Sequence, residues 1–210
     1  MPVIRAVVSD MGQVVLWFDN NIFIRRLAEL TGLPFEHVKD VAHANLDLIP
    51  LFDGGRMTPP EFKARVFAAL GVSPDVGANM SDEVFWNVYA DIFRPNEPVI
   101  RILRRIKSAG YGLVLLSNTD PERFSFVKTH FPEVFFFDAY ALSYELGQLK
   151  PAAAIYLEAA RRAASAPGEC VFIDDMEANV NGAVDAGLKG ILYKPETDLE
   201  AELKNLGLRF

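Results

Sequence analysis

The stretch "AVVSDMGQVV", residues 6–15, is the starting point for predicting the fold, because an apolar run leads there directly to a carboxylate. The run predicts a buried strand, and Asp10 falls where that strand should end. Two residues later, where a second carboxylate would complete an Asp-x-Asp pair, the residue is Gly12. Asp10 is therefore either a catalytic group without its partner or a polar residue that begins a turn.

Short β-branched runs alternate with amphipathic helical patterns over most of the chain. The runs predict strands at 3–8, 112–116, 134–137, 170–173 and 190–193. The patterns predict helices at 98–109, 121–130, 152–164 and 176–186, and Gly110 and Gly187 suit left-handed caps at two helix ends. Strands that are almost wholly apolar are covered on both faces, so the alternation predicts a parallel α/β sheet.

One long region interrupts this alternation with helical patterns alone. These patterns are "NNIFIRRLAEL" (20–30), "PFEHVKDVAHA" (34–44), "PPEFKARVFAAL" (59–70) and "SDEVFWNVYADIF" (81–93). The region is too long for an ordinary connection after a first strand, so we interpret it as an inserted helical cap. The predicted fold is α/β, a three-layer Rossmann-like parallel sheet with an inserted all-helical cap. The predicted domains are a core of residues 1–18 and 94–210 and a cap of residues 19–93.

Composition restricts the classes of partner. The chain has 210 residues, half of them hydrophobic, and a formal net charge of -7 without a basic block, which argues against a nucleic-acid partner. Its one cysteine, Cys170, excludes an internal disulfide, and no apolar run approaches the roughly 20 residues that span a bilayer. We therefore expect a cytoplasmic protein without a membrane partner. The tail "LKNLGLRF" (203–210) could dock on the core or on a second copy, which leaves a homo-oligomer open.

Polar side chains follow the predicted strands at their carboxyl ends, where open parallel sheets bind ligands. These residues are Ser9, Asp10, Ser117, Asn118, Asp174 and Asp175, and a later loop adds Lys150. Each also has a local explanation. Ser117, Asn118 and Thr119 could cap the next helix, Asp175 could cap the helix at 176–186, and Lys150 could be a solvated charge.

Taken together, these residues favour a chemical site over separate caps. Three carboxylates in one crevice repel one another, and a hard cation such as Mg²⁺ relieves that repulsion. A carboxylate beside the cation stays ionised and can attack phosphorus. Hydroxyl, amide and ammonium groups can then hold phosphoryl oxygens and neutralise developing charge.

Four motifs resemble, in order and approximate spacing, those of the haloacid dehalogenase-like (HAD) hydrolases. They are "SDMGQVV" (9–15), "LLSN" (115–118), "GQLKP" (147–151) and "FIDDMEAN" (172–179). Within that superfamily the chain most resembles phosphatases of the α-D-glucose-1-phosphatase type, which carry a helical cap of the C1 type. Those phosphatases also have glycine two residues after the nucleophile.

The resemblance implies a Mg²⁺ site built on the first and last motifs. Asp10 would be the nucleophile and a metal ligand, and Gly12 would offer its backbone carbonyl to the metal. Asp175 would be the direct carboxylate ligand, whereas Asp174 would act through a metal-bound water. Asn179 would steady this acidic loop.

The resemblance also implies a phosphate site and a reaction. Ser117 and Asn118 would hold the phosphate, with Lys150 beside them as a phosphate-binding and catalytic group. The protein would then be a Mg²⁺-dependent phosphatase that hydrolyses a small phosphorylated metabolite through an aspartyl-phosphate on Asp10. A sugar phosphate is the first substrate class to expect.

Gly12 weakens this interpretation, because the second Asp of the family's usual motif is the general acid and base. Such a group is typically worth about 10²–10⁴ in rate. Asp19 could replace it, or the substrate could carry a good leaving group, as a sugar 1-phosphate does. Two other functions stay open: a catalytically weak member that acts by binding, and a metal-independent 2-haloacid dehalogenase.

Overall fold

The computed structural model describes residues 3–73 and 80–210 of the chain. The strands are β1 (Ala6–Ser9), β2 (Leu16–Phe18), β3 (Phe93–Pro95), β4 (Gly112–Ser117), β5 (Ala139–Leu142), β6 (Cys170–Asp174) and β7 (Lys189–Leu192). The helices are α1 (Asn20–Thr31), α2 (Phe35–Ala44), α3 (Leu48–Asp53), α4 (Pro59–Leu70), α5 (Asp82–Ala90), α6 (Glu97–Ser108), α7 (Pro121–His130), α8 (Ser143–Leu146), α9 (Ala153–Arg162), α10 (Glu177–Asp185) and α11 (Leu199–Asn205).

The main sheet has five strands in the order β5-β4-β1-β6-β7, and every neighbouring pair is parallel. The central strand β1 pairs with β4 on one side and with β6 on the other. The chain therefore builds the sheet outward from β1 in two directions. In such a sheet, the crevice beyond the carboxyl ends of the central strands is where ligands bind.

Helices cover both faces of this sheet, as the apolar strands predict. Successive residues of a strand point to opposite faces, and Val7 and Val8 accordingly belong to two different hydrophobic clusters. Side chains from α6, α7 and α11 complete the Val7 cluster, and those from α9 and α10 complete the Val8 cluster. The three-layer Rossmann-like fold class is thus confirmed.

Helices α1–α5 lie between β2 and β3, the two strands of a short antiparallel ribbon. We call these helices the helical block. Their apolar faces share a hydrophobic cluster of their own, in which the rings of Phe52 and Phe62 stack at 4.4 Å between centroids. Phe126 of α7 packs against this cluster from the sheet side.

The predicted domain boundary between residues 93 and 94 falls inside β3. Residues 1–2 and 74–79 of the predicted domains lie outside the described residues.

The strand predicted at 134–137 is wrong. Pro132–Val134 form a 3₁₀ turn, and the edge strand is β5, which begins at Ala139. The phenylalanines after this turn pack as aromatic side chains instead; Phe135, for example, stacks on Tyr140 at 5.5 Å. The short elements β2, β3 and α3 have no counterpart among the predicted elements.

The ends of several elements agree with the local sequence. Gly110 and Gly187 have φ of +88° and +95°, the left-handed conformation predicted for them. The tail docks on this chain's own core, because Leu208 is fully buried and Phe210 packs against the cluster that contains Val7. Within the described residues, no helix has the length and apolar character needed to cross a membrane.

Candidate active site

Three carboxylates meet at the carboxyl edge of the two central strands. Asp10 directly follows β1, Asp174 ends β6, and Asp175 is the next residue. The amide of Asp10 donates to the carbonyl of Ile173 at 2.9 Å, which locks the two strand ends together. One oxygen from each carboxylate lies within 4.8 Å of the other two. Asp10 thus forms one acidic cluster with the adjacent pair Asp174 and Asp175, although it lies far from them in sequence.

Lys150 joins two of these carboxylates. Its Nζ lies 2.7 Å from Asp10 Oδ1 and 2.7 Å from Asp174 Oδ2. The side chain is only 2% exposed, so it is a buried ion-pair partner and not a solvated surface charge. Because burial leaves these charges without water, each depends on the others for its stabilisation.

Burial and mutual repulsion set the protonation of this cluster. Burial raises the pKa of Asp10, and the charge of Asp174 adds to that rise while Lys150 opposes it. Burial also raises the pKa of Asp175, again with help from Asp174. Burial works against the charge on Lys150, but the adjacent carboxylates overcome it and raise the pKa of the ammonium. A bound cation would relieve the repulsion among these carboxyls.

Asp174 is held by several donors, whereas Asp175 lies half-buried beside it. The side chain of Asn179 lies 3.0 Å from Asp174 Oδ1 and 3.1 Å from Oδ2, and the amide of Met176 donates to Oδ1 at 2.8 Å. Asp174, and not Asp175, therefore accepts the hydrogen bond from the backbone amide at the start of α10.

The Lys194 ammonium, which was not predicted from the sequence, donates to the backbone carbonyl of Asp175 at 2.6 Å. The available signal was its position directly after the strand predicted at 190–193.

The loop after β4 is fastened to the Lys150 loop. Asn118 Oδ1 accepts from the amide of Lys150 at 2.8 Å, and Asn118 Nδ2 donates to the carbonyl of Lys150 at 3.1 Å. Ser117, at the end of β4, is buried next to this pair. Asp120 caps α7 by accepting from the amides of residues 122 and 123, so Ser117, Asn118 and Thr119 do not serve as that cap.

Gly12 lies beside the aromatic ring of Phe18. A Cβ built at Gly12 would come within 2.8 Å of Phe18 Cε1, closer than real Cβ contacts. The ring therefore fills the space into which a side chain at residue 12 would start. Asp19, the candidate substitute for the missing acid, is exposed and caps α1, with its Oδ1 accepting from the amide of Asn21 at 2.9 Å.

The donor set fits a hard divalent cation. Hard oxygen ligands such as carboxylates are the ones that suit Mg²⁺, and the three carboxylates offer one oxygen each within 4.8 Å of one another. The cluster also stands at the strand ends of a parallel sheet, where ligands bind in this architecture. Fold and cluster together define a Rossmann-like α/β protein with an acidic cluster that could hold a metal ion.

The sequence then identifies the family. The sequence model of the haloacid dehalogenase-like hydrolases matches residues 76–187, which is more than half of the chain. The chain belongs to this family and is a HAD-like hydrolase.

Two proteins of known structure share its fold over almost the whole chain. A HAD family enzyme of Bacteroides thetaiotaomicron superposes with a TM-score of 0.81 at 23% identity and covers 96% of this chain and 99% of that one. A second structure of that enzyme is a complex with magnesium and inorganic phosphate. A predicted HAD-like family hydrolase of Porphyromonas gingivalis superposes with a TM-score of 0.79 at 22% identity, over 99% of this chain and 100% of that one.

One curated relative matches a shorter segment. It is a flavin mononucleotide hydrolase of Arabidopsis thaliana, 34% identical over 62 residues. The match covers 30% of this chain and spans only 25% of that relative's length.

Proposed function

We propose that the protein is a Mg²⁺-dependent phosphatase that hydrolyses a small phosphorylated metabolite. The observation that carries the proposal is the buried acidic cluster, in which oxygens of Asp10, Asp174 and Asp175 lie within 4.8 Å of one another beside Lys150. A nucleophilic carboxylate, a cation site and a fixed ammonium are the groups that phosphoryl transfer requires. The magnesium and phosphate complex of the Bacteroides thetaiotaomicron enzyme supports the same chemistry for this fold.

We assign the metal ligands from this geometry and from the family motif. Asp10, the carbonyl of Gly12 and Asp175 would hold Mg²⁺, which when bound neutralises the phosphate charge and keeps the nucleophile ionised. Asp174 would act through a bound water, because Lys150 and Asn179 already occupy its oxygens. Asn179 would keep the acidic loop in place.

Asp10 would attack phosphorus and form an aspartyl-phosphate, and water would then hydrolyse that intermediate. Ser117 would donate its hydroxyl to a phosphoryl oxygen. Asn118, whose side chain is already bonded to the Lys150 backbone, would contribute its backbone N–H. Lys150 would neutralise the charge that develops on the transferred group.

We also propose that residues 1–18 and 94–210 form the core domain and residues 19–93 a cap that determines the substrate. The separate hydrophobic cluster of the helical block supports this division. A sugar phosphate is the first substrate class, and a sugar 1-phosphate suits Gly12 because its leaving group needs little protonation. The flavin mononucleotide hydrolase relative makes flavin mononucleotide the second compound to test.

Phosphate release from 4-nitrophenyl phosphate tests the proposal. We expect release only with Mg²⁺, and none from Asp10→Asn. Asp47→Asn is the matched control, because Asp47 is an exposed carboxylate of the helical block. Equal release with Mg²⁺ and with chelator would contradict the proposal. A panel of sugar 1-phosphates, sugar 6-phosphates and flavin mononucleotide then identifies the substrate class.

Two other functions have distinct outcomes in these assays. A member that acts by binding would form a stable beryllium-fluoride adduct and release no phosphate from any ester. A dehalogenase would release chloride from chloroacetate in chelator. The buried cluster of three carboxylates favours the phosphatase, because attack on carbon by one Asp needs no cation.

A further inference from the structure

The helical block contains a cavity of about 280 Å³. All five helices of the block contribute side chains to its wall, and Arg123 of α7 is the one described lining residue that lies outside the block. None of the residues assigned above to the metal or the phosphate is among the described residues that line it. A ligand held in this cavity is therefore a property beyond the proposed phosphatase function.

The inner wall of this cavity is the hydrophobic cluster of the block itself. The members of that cluster that line it include Ile24, Leu27, Val38, Leu48, Phe62 and Leu70. Protein interiors are packed as densely as organic crystals and hold few voids larger than a water molecule. Water is a poor occupant of an apolar cavity, because it needs roughly two to four polar partners. The core of the block is therefore incomplete by itself, and an apolar molecule would complete its packing.

The rim of the cavity reaches the surface of the protein. Asn20 and Asn21 line it at the start of α1, and both are exposed. Leu46, just after α2, lines it as well and is 60% exposed, so an apolar side chain stands at the entrance. Pockets for small molecules have volumes of roughly 300–1,000 Å³. The size of this cavity therefore suits a small organic molecule that enters from solution.

Arg123 is the one permanently charged side chain among the described residues that line the cavity. Its Nη2 donates to a neutral acceptor, Asn20 Oδ1, at 3.0 Å. Its Nε is buried and has no hydrogen-bond partner among the described residues. The closest carboxylate oxygen of these residues is Asp120 Oδ2, which lies 3.9 Å from Nε and thus beyond hydrogen-bond distance. A buried N–H without an acceptor is costly, so a ligand that brings an acceptor gains from this contact.

The carboxylate of Asp120 adjoins Arg123 but is engaged by other donors. Its Oδ2 accepts from the Tyr89 hydroxyl at 2.7 Å, and its Oδ1 accepts from the amides of residues 122 and 123 at 2.9 Å. Asp120 is also not among the described residues that line the cavity. Its charge therefore leaves the cavity side of the guanidinium free.

Asp53, the last residue of α3, is the second carboxyl near Arg123, and it does not line the cavity either. The Ser143 hydroxyl donates to the carbonyl of Asp53 at 2.6 Å and accepts from the amide of Thr119 at 2.9 Å, which fixes Asp53 against the loop that follows β4. Burial raises the pKa of Asp53 to about 7, so its carboxyl competes only weakly for the guanidinium. The Arg123 cation is thus available to an anion inside the cavity.

We propose that this cavity binds a small apolar molecule that carries one anionic group, such as an aromatic carboxylate. The apolar body occupies the space among the helices of the block, and an anionic oxygen accepts from Arg123 Nε. Charge complementarity selects an anion, because no acidic side chain is found among the described lining residues. The apolar wall selects the body, because a strongly polar molecule would lose its water there without finding hydrogen-bond partners.

Calorimetric titration of the full chain with 2-naphthoate tests the apolar contact. We expect naphthoate to bind at a single site and acetate, which has the same charge without the apolar body, not to bind. Ala69→Phe puts a ring into the cavity from α4 and should weaken naphthoate binding by about tenfold or more, because the ring takes the space of the ligand. Ala68→Phe is the matched control and should leave the affinity unchanged, because Ala68 is exposed on the same helix and does not line the cavity.

Arg123→Met tests the charge. The uncharged 2-naphthamide has nearly the same shape as naphthoate. The parent should bind naphthoate about tenfold more tightly than naphthamide, as a hydrogen bond between charged groups predicts, and Arg123→Met should remove that difference. Arg65→Met should keep it, because Arg65 is an exposed cation of α4 that does not line the cavity.

No binding of naphthoate by the parent, or equal weakening by the two phenylalanine variants, would overturn the site. Equal affinities of the parent for naphthoate and naphthamide would overturn the anionic group. Should Ala69→Phe not fold, Val66→Phe fills the same cavity from the same helix. The titration uses neither Mg²⁺ nor a phosphate ester, so a negative result here leaves the proposed phosphatase function untouched.

Discussion

The ring of Phe18 stands in the space that a side chain at Gly12 would enter, with Cε1 2.8 Å from an ideal Cβ at that glycine. The two residues are therefore complementary: the chain lacks a carboxyl at residue 12 and has an aromatic ring in its place. A side chain at residue 12 can therefore be accommodated only if the Phe18 ring moves.

We expect Gly12→Ala to lower the free energy of unfolding by about 1–3 kcal/mol, because the new methyl group overlaps the Phe18 ring. Phe18→Leu in the same chain should recover most of that loss by opening the space. Urea unfolding of the two single variants and the double variant measures the coupling. Additive effects in the double variant would contradict the contact.

Asp10→Asn should abolish Mg²⁺-dependent phosphate release, by about 10³-fold or more, because the amide cannot attack phosphorus. The fold should survive, since Asn keeps the size of the side chain and Lys150 keeps its 2.7 Å pairing with Asp174. Phosphate release and circular dichroism together check this. Turnover at the parent rate would exclude Asp10 as the nucleophile.

Asp175→Asn should raise the Mg²⁺ concentration for half-maximal activity by about 10–100-fold, because a charged ligand is replaced by a neutral one. The exposed Asp185 at the end of α10 gives the control, Asp185→Asn, which should leave that concentration unchanged. Titration of activity with Mg²⁺ after removal of metal by chelator is the measurement. Equal shifts in both variants would show a general charge effect.

Lys150→Met should lower the free energy of unfolding by about 3–5 kcal/mol in chelator, because Asp10 and Asp174 then stay buried without a cation. Adding Asp174→Asn to Lys150→Met should recover part of the lost free energy of unfolding. Lys204→Met removes an exposed pairing with Glu200 and should change the stability far less. Similar losses in the two Lys variants would contradict the buried pairing.

Stability should depend on pH through Asp53. Its pKa is raised in the fold from 3.8 to about 7, so the folded state holds this proton more tightly than the unfolded chain. The stability that the protonated carboxyl contributes is present below pH 4 and is lost as pH rises through about 7, at roughly 1.4 kcal/mol per unit. Asp53→Asn should therefore gain stability relative to the parent between pH 5 and pH 8.

Urea unfolding at several pH values measures this difference, with Asp47→Asn as the variant whose difference from the parent should stay constant. A pH-independent difference for Asp53→Asn would show that its carboxyl is not protonated in the fold. The measurement needs no substrate, so it is independent of the catalytic proposal.

Much of the fold was predictable, because a strand that is buried on both faces is an almost continuous apolar run in the sequence. Each central strand is an apolar run, and the helix at 59–70 was predicted with the bounds that the structure gives it. The apolar run at 134–137 was wrongly predicted to be a strand. Its phenylalanines are buried by packing on other aromatic rings, and apolar character alone does not distinguish such a turn from a strand.

Which chemical groups end the central strands could be read from the sequence, because a parallel sheet brings the carboxyl ends of its strands to one edge. Asp10 and Asp174 could therefore be expected to meet, whereas Lys150 lies in a loop and was expected beside them only from the resemblance of "GQLKP" to a family motif. The surroundings of these groups became visible only in the folded chain: the ring of Phe18 over Gly12, and the placement of Asp53 against the Thr119 loop. These contacts depend on how the helical block docks on the sheet, and long-range packing of that kind leaves no periodic pattern in the chain.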